Sequence, residues 1–152
     1  MYYQDLREFI TELEKQAELK RITIPVKSEL EITEICRRTL DLKGPALLFE
    51  NVVNSSIPVL ANLFGTTKRV AIAMGKNDLS GLRDLGQLLA QLKQPEPPAG
   101  IKDTIEKLPV LKKALSMPVK TLSQGKCQEN VIEGENVDLS TLPIQTCWPK
   151  DV

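Results

Sequence analysis

No histidine occurs anywhere in the 152 residues. That absence removes the commonest general base, the Ser-His-Asp and Cys-His nucleophile systems, and every zinc site that uses imidazole. Cysteine is scarce. Cys36, Cys127 and Cys147 are spaced neither as a CxxC motif nor as a zinc ribbon. An odd number of scattered cysteines reads as reduced thiols of a cytosolic protein, small side chains in or near a core. Neither charge is in excess, because Lys+Arg and Asp+Glu each total 20. This argues against a nucleic-acid binder dominated by phosphate contacts. No apolar run approaches the ~20 residues of a membrane-spanning helix. The start, MYYQDLREF, lacks the basic-then-apolar order of a secretory signal. The expectation is a cytoplasmic protein with at most peripheral membrane contact. There is no GxGxxG, so a Rossmann dinucleotide site has no support. Gly75-Lys76-Asn77-Asp78-Leu79-Ser80 is not a Walker A loop, which needs a strand, more glycines and an adjacent Lys-Ser/Thr pair.

What is present is enough for one domain or slightly more, with 41% hydrophobic residues. The chain is organised around residues 44–75. Two apolar runs there, 46–49 and 58–64, are short, lack a helical period and are bounded by turn residues, as buried strands are, and the strands are expected over 46–50 and 58–64. Gly65-Thr66-Thr67 then starts a helix over 68–74, closed by Gly75. Upstream, residues 5–18 read as a helix with Leu6, Ile10, Leu13 and Ala17 on one face and Phe9 beside them. Asp5 and Glu8 look like a cap and its reciprocal partner. Residues 21–26 alternate as a half-buried strand with Ile22, Ile24 and Val26 inward, and Pro25 places it at an edge or near its end. Ser28-Glu29-Leu30-Glu31 has the spacing of a capping box. It predicts a helix to about Leu42, ended by Gly44-Pro45, with Ile32, Ile35, Cys36, Thr39 and Leu40 as its buried stripe.

Asp78 caps a predicted helix over 79–93, with Leu82, Leu85, Leu89 and Leu92 on one face, widened by Leu88. Such a stripe serves a core or a partner helix. Gly81 and Gly86 weaken the helix and allow close packing. The prolines at 95, 97 and 98 make an extended connector. Residues 102–107 and 109–115 read as helical pieces, and 127–132 as a strand. Gly134-Glu135-Asn136 reads as a turn, Asp138 as the cap of a single helical turn, and 144–148 as the start of a strand. The expected division is an N-terminal α/β domain over 1–94, a connector with helices over 95–118, and the beginning of another domain over 119–152. The fold class is α+β, a small mixed sheet covered by helices.

Two places could bind a ligand. Thr66, Thr67, Lys68 and Arg69 bring two hydroxyls, two cations and free backbone donors to a helix start, which suits a phosphate or carboxylate. The plainer alternative is an ordinary threonine N-cap with a solvated basic pair. The second is Trp148, in Cys147-Trp148-Pro149, which could pack against a ligand or serve as a buried anchor between domains. Carboxylate pairs two apart, Glu12/Glu14, Glu29/Glu31 and Glu133/Glu135, read as solvated faces rather than acid–base pairs. No metal site is expected.

Four long blocks carry a family resemblance: GPALLFENV (44–52), PVLANLFGTTKRVAIAMG (58–75), KQPEPPAG (93–100) and DLSTLPIQTCWPKD (138–151). They resemble the start of UbiD-family decarboxylases, whose members are several times longer, so the chain looks like their N-terminal part. The resemblance implies a non-oxidative carboxy-lyase that uses prenylated FMN held through manganese and potassium ions. The nearest likeness implies a 3-polyprenyl-4-hydroxybenzoate substrate of ubiquinone biosynthesis. It also implies that 119–152 begins a strand-rich, split-barrel flavin-binding domain, with Trp148 placed to pack near the flavin, and that the full-length protein is a homo-oligomer. The family's catalytic residues lie C-terminal to Val152, so none is placed in this chain, which alone should be inactive and should not hold the cofactor tightly. A free-standing, non-catalytic partner subunit and an anion- or flavin-phosphate-binding module using Thr66–Arg69 are the alternatives.

Overall fold

The computed structural model describes residues 3–93, 108, 109, 112, 119, 121–125 and 128–151. The proline connector, the 102–107 helix, most of 109–115 and Cys127 lie outside the described residues. The chain divides into two compact units, Met1–Leu79 with Val137–Val152, and Ser80–Asn136.

The first unit is built on β1 (Leu19–Ile22), β2 (Ala46–Phe49) and β3 (Val59–Ala61), in the order β1-β2-β3. β1 pairs parallel with β2, Leu19 facing Ala46, and β2 pairs antiparallel with β3, Phe49 facing Val59. The α+β expectation with a small mixed sheet holds. All four β2 residues are buried, as a strand covered on both faces requires. Its side chains alternate between two cores. Ala46 and Leu48 join Phe9, Leu13, Leu19 and Ile72, from the side of α1 (Leu6–Lys15) and α3 (Thr67–Ala73). Leu47 and Phe49 join Val26, Ile32, Val52 and Val59, from the side of α2 (Glu31–Asp41).

The outer strands are shorter than expected. β1 stops at Ile22, and Ile24 is 66% exposed. The chain bulges away where Pro25 has no N–H to donate and returns at Val26, whose N–H donates to the Asn51 carbonyl at 3.0 Å. β3 stops at Ala61 because Asn62 takes a left-handed φ of 56° and starts a turn, closed by Gly65 N–H donating to its carbonyl at 3.0 Å. In α1 the buried positions are Phe9 and Leu13, so Leu6 and Ala17 fall off the stripe.

The helix stops follow one rule with different residues. Each has the paired bonds of a Schellman motif around a left-handed residue. That residue is Ala17 (φ 56°) after α1, Lys43 (φ 53°) after α2 and Gly75 (φ 66°) after α3. Gly44, expected as the stop of α2, sits one position later. It is glycine for closeness, since a Cβ there would lie 2.7 Å from Thr39 Cγ2. Asp5 caps α1 by accepting from the Glu8 N–H at 3.0 Å, while Glu8 reaches back to the Gln4 N–H.

In the same unit, Asp138 caps the 3-10 turn Leu139–Thr141, accepting from the Ser140 N–H at 2.9 Å. The strand expected over 144–148 is a single parallel bridge between Thr146 and Glu29.

In the second unit, α4 (Leu79–Lys93) has the predicted bounds. Leu88 is its most buried leucine, with Leu82, Leu85 and Leu92 half-buried, whereas Leu89 is 51% exposed and falls off the predicted stripe. A Cβ on Gly86 would meet nothing within 4 Å, so no close packing requires that glycine. The expected 127–132 strand is absent over 128–132, where Val131 and Ile132 are about two-thirds exposed. A turn takes the polar groups instead: Gln128 N–H donates to the Gly125 carbonyl, and Gly125 N–H to the Gln128 side chain.

Candidate functional site

Thr66 adopts an extended backbone, and its hydroxyl accepts from the Arg69 N–H at 3.3 Å, so it is the N-cap of α3. Thr67 is exposed in the first turn. The two cations beside it diverge. The Lys68 side chain is half exposed and its Nζ lies 2.7 Å from Glu18 Oε1. Arg69 is fully buried. Its Nη1 donates to Glu18 Oε2 at 3.0 Å and to the Gly44 carbonyl at 2.9 Å. Its Nε and Nη2 find no hydrogen-bond partner among the described residues. Glycine at 65 makes room for this group, since a Cβ would lie 2.6 Å from Leu40 Cδ1 and 2.8 Å from Arg69 Nη2. Burial pushes the Glu18 carboxyl up, but its bonds to Lys68 and Arg69 outweigh that and hold it below the usual carboxylate range. The pair is therefore not a solvated one. A carboxylate from the link between α1 and β1 engages both cations.

Glu18 is the residue that local reading misses. It lies 51 residues from Arg69, and nothing beside it in the sequence announces the pairing.

Trp148 is 70% exposed. It lines a cleft of about 570 Å³ with Leu30, Thr33, Glu34, Arg37 and Cys147. Thr33 Oγ1 donates to Cys147 Sγ at 3.6 Å and fixes one wall. Glu34 makes two parallel bonds to Arg37, both 2.9 Å, and a third to Arg38 at 2.6 Å. Those bonds hold the Glu34 carboxyl down to about 2. The cleft thus offers a flat indole beside a guanidinium already committed to carboxylates. Burial pushes the Cys36 thiol up, as for a packed rather than a reactive cysteine. Among the described residues, no three His, Cys, Asp or Glu side chains come together as a metal site.

Residues 10–89 match the family model of the 3-octaprenyl-4-hydroxybenzoate carboxy-lyase N-terminal domain. The chain belongs to the UbiD family. Residues 119–152 match the Rift-related domain of the same carboxy-lyase. Among solved structures the chain is similar to the vanillic acid decarboxylase of Sedimentibacter hydroxybenzoicus in its closed form. Identity is 28% and the TM-score 0.54, over 64% of this chain and 21% of that one. The open form of that enzyme matches with 27% identity and a TM-score of 0.54, over 64% and 22%. An evolved dimeric form of the UbiD-class enzyme HmfF from Pelotomaculum thermopropionicum, in complex with prFMN, matches at 29% identity and a TM-score of 0.50, over 62% and 21%. The chain spans about a fifth of the length of these proteins.

On this UbiD chain, everything from most of α1 to most of α4 falls in the N-terminal match. The cleft combines α2, from that match, with Cys147 and Trp148, from the Rift-related match. Both contributors belong to one compact unit.

Proposed function

We propose that this chain is the N-terminal, structural portion of a prenylated-FMN-dependent, non-oxidative decarboxylase whose substrate is a 3-polyprenyl-4-hydroxybenzoate of ubiquinone biosynthesis. The observation that carries the reading is the succession of two UbiD matches, 10–89 and 119–152, in a chain about a fifth as long as similar decarboxylases. HmfF, in complex with prFMN, supports the cofactor class. When bound, that cofactor would supply an electron sink for loss of carbon dioxide.

The described residues here do not fit as its holders. Lys68 and Arg69 are committed to Glu18, and no cluster among them suits a divalent ion. The reading therefore assigns the catalytic acid–base residues, and the ligands of manganese and potassium, to sequence C-terminal to Val152. The 119–152 stretch begins a split-barrel flavin domain, and the complete protein is a cytoplasmic homo-oligomer. No helix among the described residues is long and apolar enough to cross a membrane, which suits at most a peripheral meeting with a prenylated substrate.

The test is carbon dioxide release from a 3-polyprenyl-4-hydroxybenzoate by the purified chain with prenylated FMN, Mn2+ and K+. No turnover above the protein-free blank is expected, and measurable turnover would defeat the assignment. The native mass in source cells, read with an antibody against this chain, should be several times 16.9 kDa. A native mass near that value, in a stable complex with a second chain, would mark a partner subunit instead. Phosphate or FMN should leave the Tm unchanged; a rise abolished by K68A/R69A would mark an anion-binding module.

A further inference from the structure

In a capping box, Ser28 would be the N-cap of α2 and Glu31 its reciprocal partner. The structure does not use the box. α2 opens at Glu31, Leu30 stands at the N-cap, and no side chain caps it. Leu30 holds φ 59° and ψ −33°, the centre of a tight turn in which the Glu31 N–H donates to the Glu29 carbonyl at 2.6 Å, a positive-φ conformation that leucine rarely adopts. Glu31 accepts from the Lys27 N–H at 2.7 Å, one residue before the one it would serve in the box.

The backbone groups left over go to residues 144–147, a strap laid along the helix start. Thr146 N–H donates to the Ser28 carbonyl at 3.2 Å, and Leu30 N–H donates to the Thr146 carbonyl at 2.9 Å. Ser55 Oγ, donating to the Thr141 carbonyl, and Thr33 Oγ1, donating to Cys147 Sγ, hold the segment on either side. In a helix begun at Ser28, the Ser28 carbonyl would accept from the Ile32 N–H. Here the Ile32 N–H reaches the Lys27 carbonyl instead, at 3.3 Å. Leu30 cannot hold a helical φ and its present one together, so the two arrangements exclude each other.

We infer that the first turn of α2 is a two-state element set by the strap. With the strap docked, α2 starts at Glu31 and Leu30 is strained. With the strap released, the box closes on Ser28, α2 extends to Glu29, and the cleft loses the wall made by Cys147 and Trp148. Two backbone and two side-chain hydrogen bonds of the 141–147 segment oppose one cap and one unfavourable φ, contributions of similar size, so neither setting dominates by chemistry alone. The strap lies in the Rift-related match and α2 in the N-terminal match, so the element couples the two regions of the family sequence.

The test is NMR on the 152-residue chain. T146P removes the donor to Ser28. It should move the Glu29 and Leu30 Cα shifts to helical values and lower the exchange protection of the Leu30 amide at least about tenfold. Adding S28A should abolish the helical gain. Residues 29 and 30 unmoved in T146P, or a gain that survives S28A, would overturn the inference. If T146P does not fold, S28A and L30G decide. Both should raise protection of the residue-30 amide by favouring the docked strap, and a fall in either would overturn it.

Discussion

Glu18 is the most consequential single side chain described. Removing it leaves Arg69 buried without its counter-ion, a loss on the order of 3–5 kcal/mol. E18A should therefore lower the urea midpoint sharply. K68A, which removes a half-exposed partner, should cost under about 1 kcal/mol. Acid should reveal the same group. Its folded pKa lies below the unfolded value, so its contribution is complete above the ordinary Glu pKa of ~4.3 and is lost as the pH falls through the lower folded value. The gap in unfolding free energy between wild type and E18Q should be constant near neutrality and narrow below pH 4.3. At this scale the sequence was only partly readable. Thr66 announced its cap through local hydroxyl chemistry, but Arg69 looked solvated because its partner is far away in sequence. Burial of a cation is decided by tertiary contacts, which no neighbouring residue encodes.

Among the elements, β2, α3 and α4 were legible because one signal dominates each: an unbroken apolar run, a threonine cap with a closing glycine, a leucine period. β1, β3 and the start of α2 were less so, because non-local bonds decide where they end. Three substitutions at or near helix ends and interiors follow from the geometry. K43G should stabilise by about 0.5–1 kcal/mol, since Lys43 holds φ 53° without a side chain suited to it. G86A should add about 0.5–1 kcal/mol of helix propensity, because its Cβ enters open space. G65A should do the reverse, by about 1–3 kcal/mol, because its Cβ would collide with Leu40 and Arg69. Thermal unfolding of the three variants would order them as K43G and G86A above wild type and G65A below.

For the molecule as a whole, long sequence blocks made the family legible, whereas a substrate was not, because recognition of a small molecule is carried by a few side chains that folding brings together from distant positions. Zero net charge and a pI near 6.4 coincide with exposed apolar side chains at Val131, Ile132, Leu139, Ile144 and Trp148. Self-association by light scattering should peak near pH 6.4 and decline about two pH units to either side, where like charges repel.

The strap also has a place in time. Thr33 and Cys147, which meet at its edge, are 114 residues apart. A ribosome adding roughly 5–20 residues per second needs on the order of ten seconds to cross that interval. Throughout it residues 28–41 have been made and the strap has not, so the growing chain has Ser28 and Glu31 to start α2. The capping box that the finished protein leaves open is the start signal available to the growing chain.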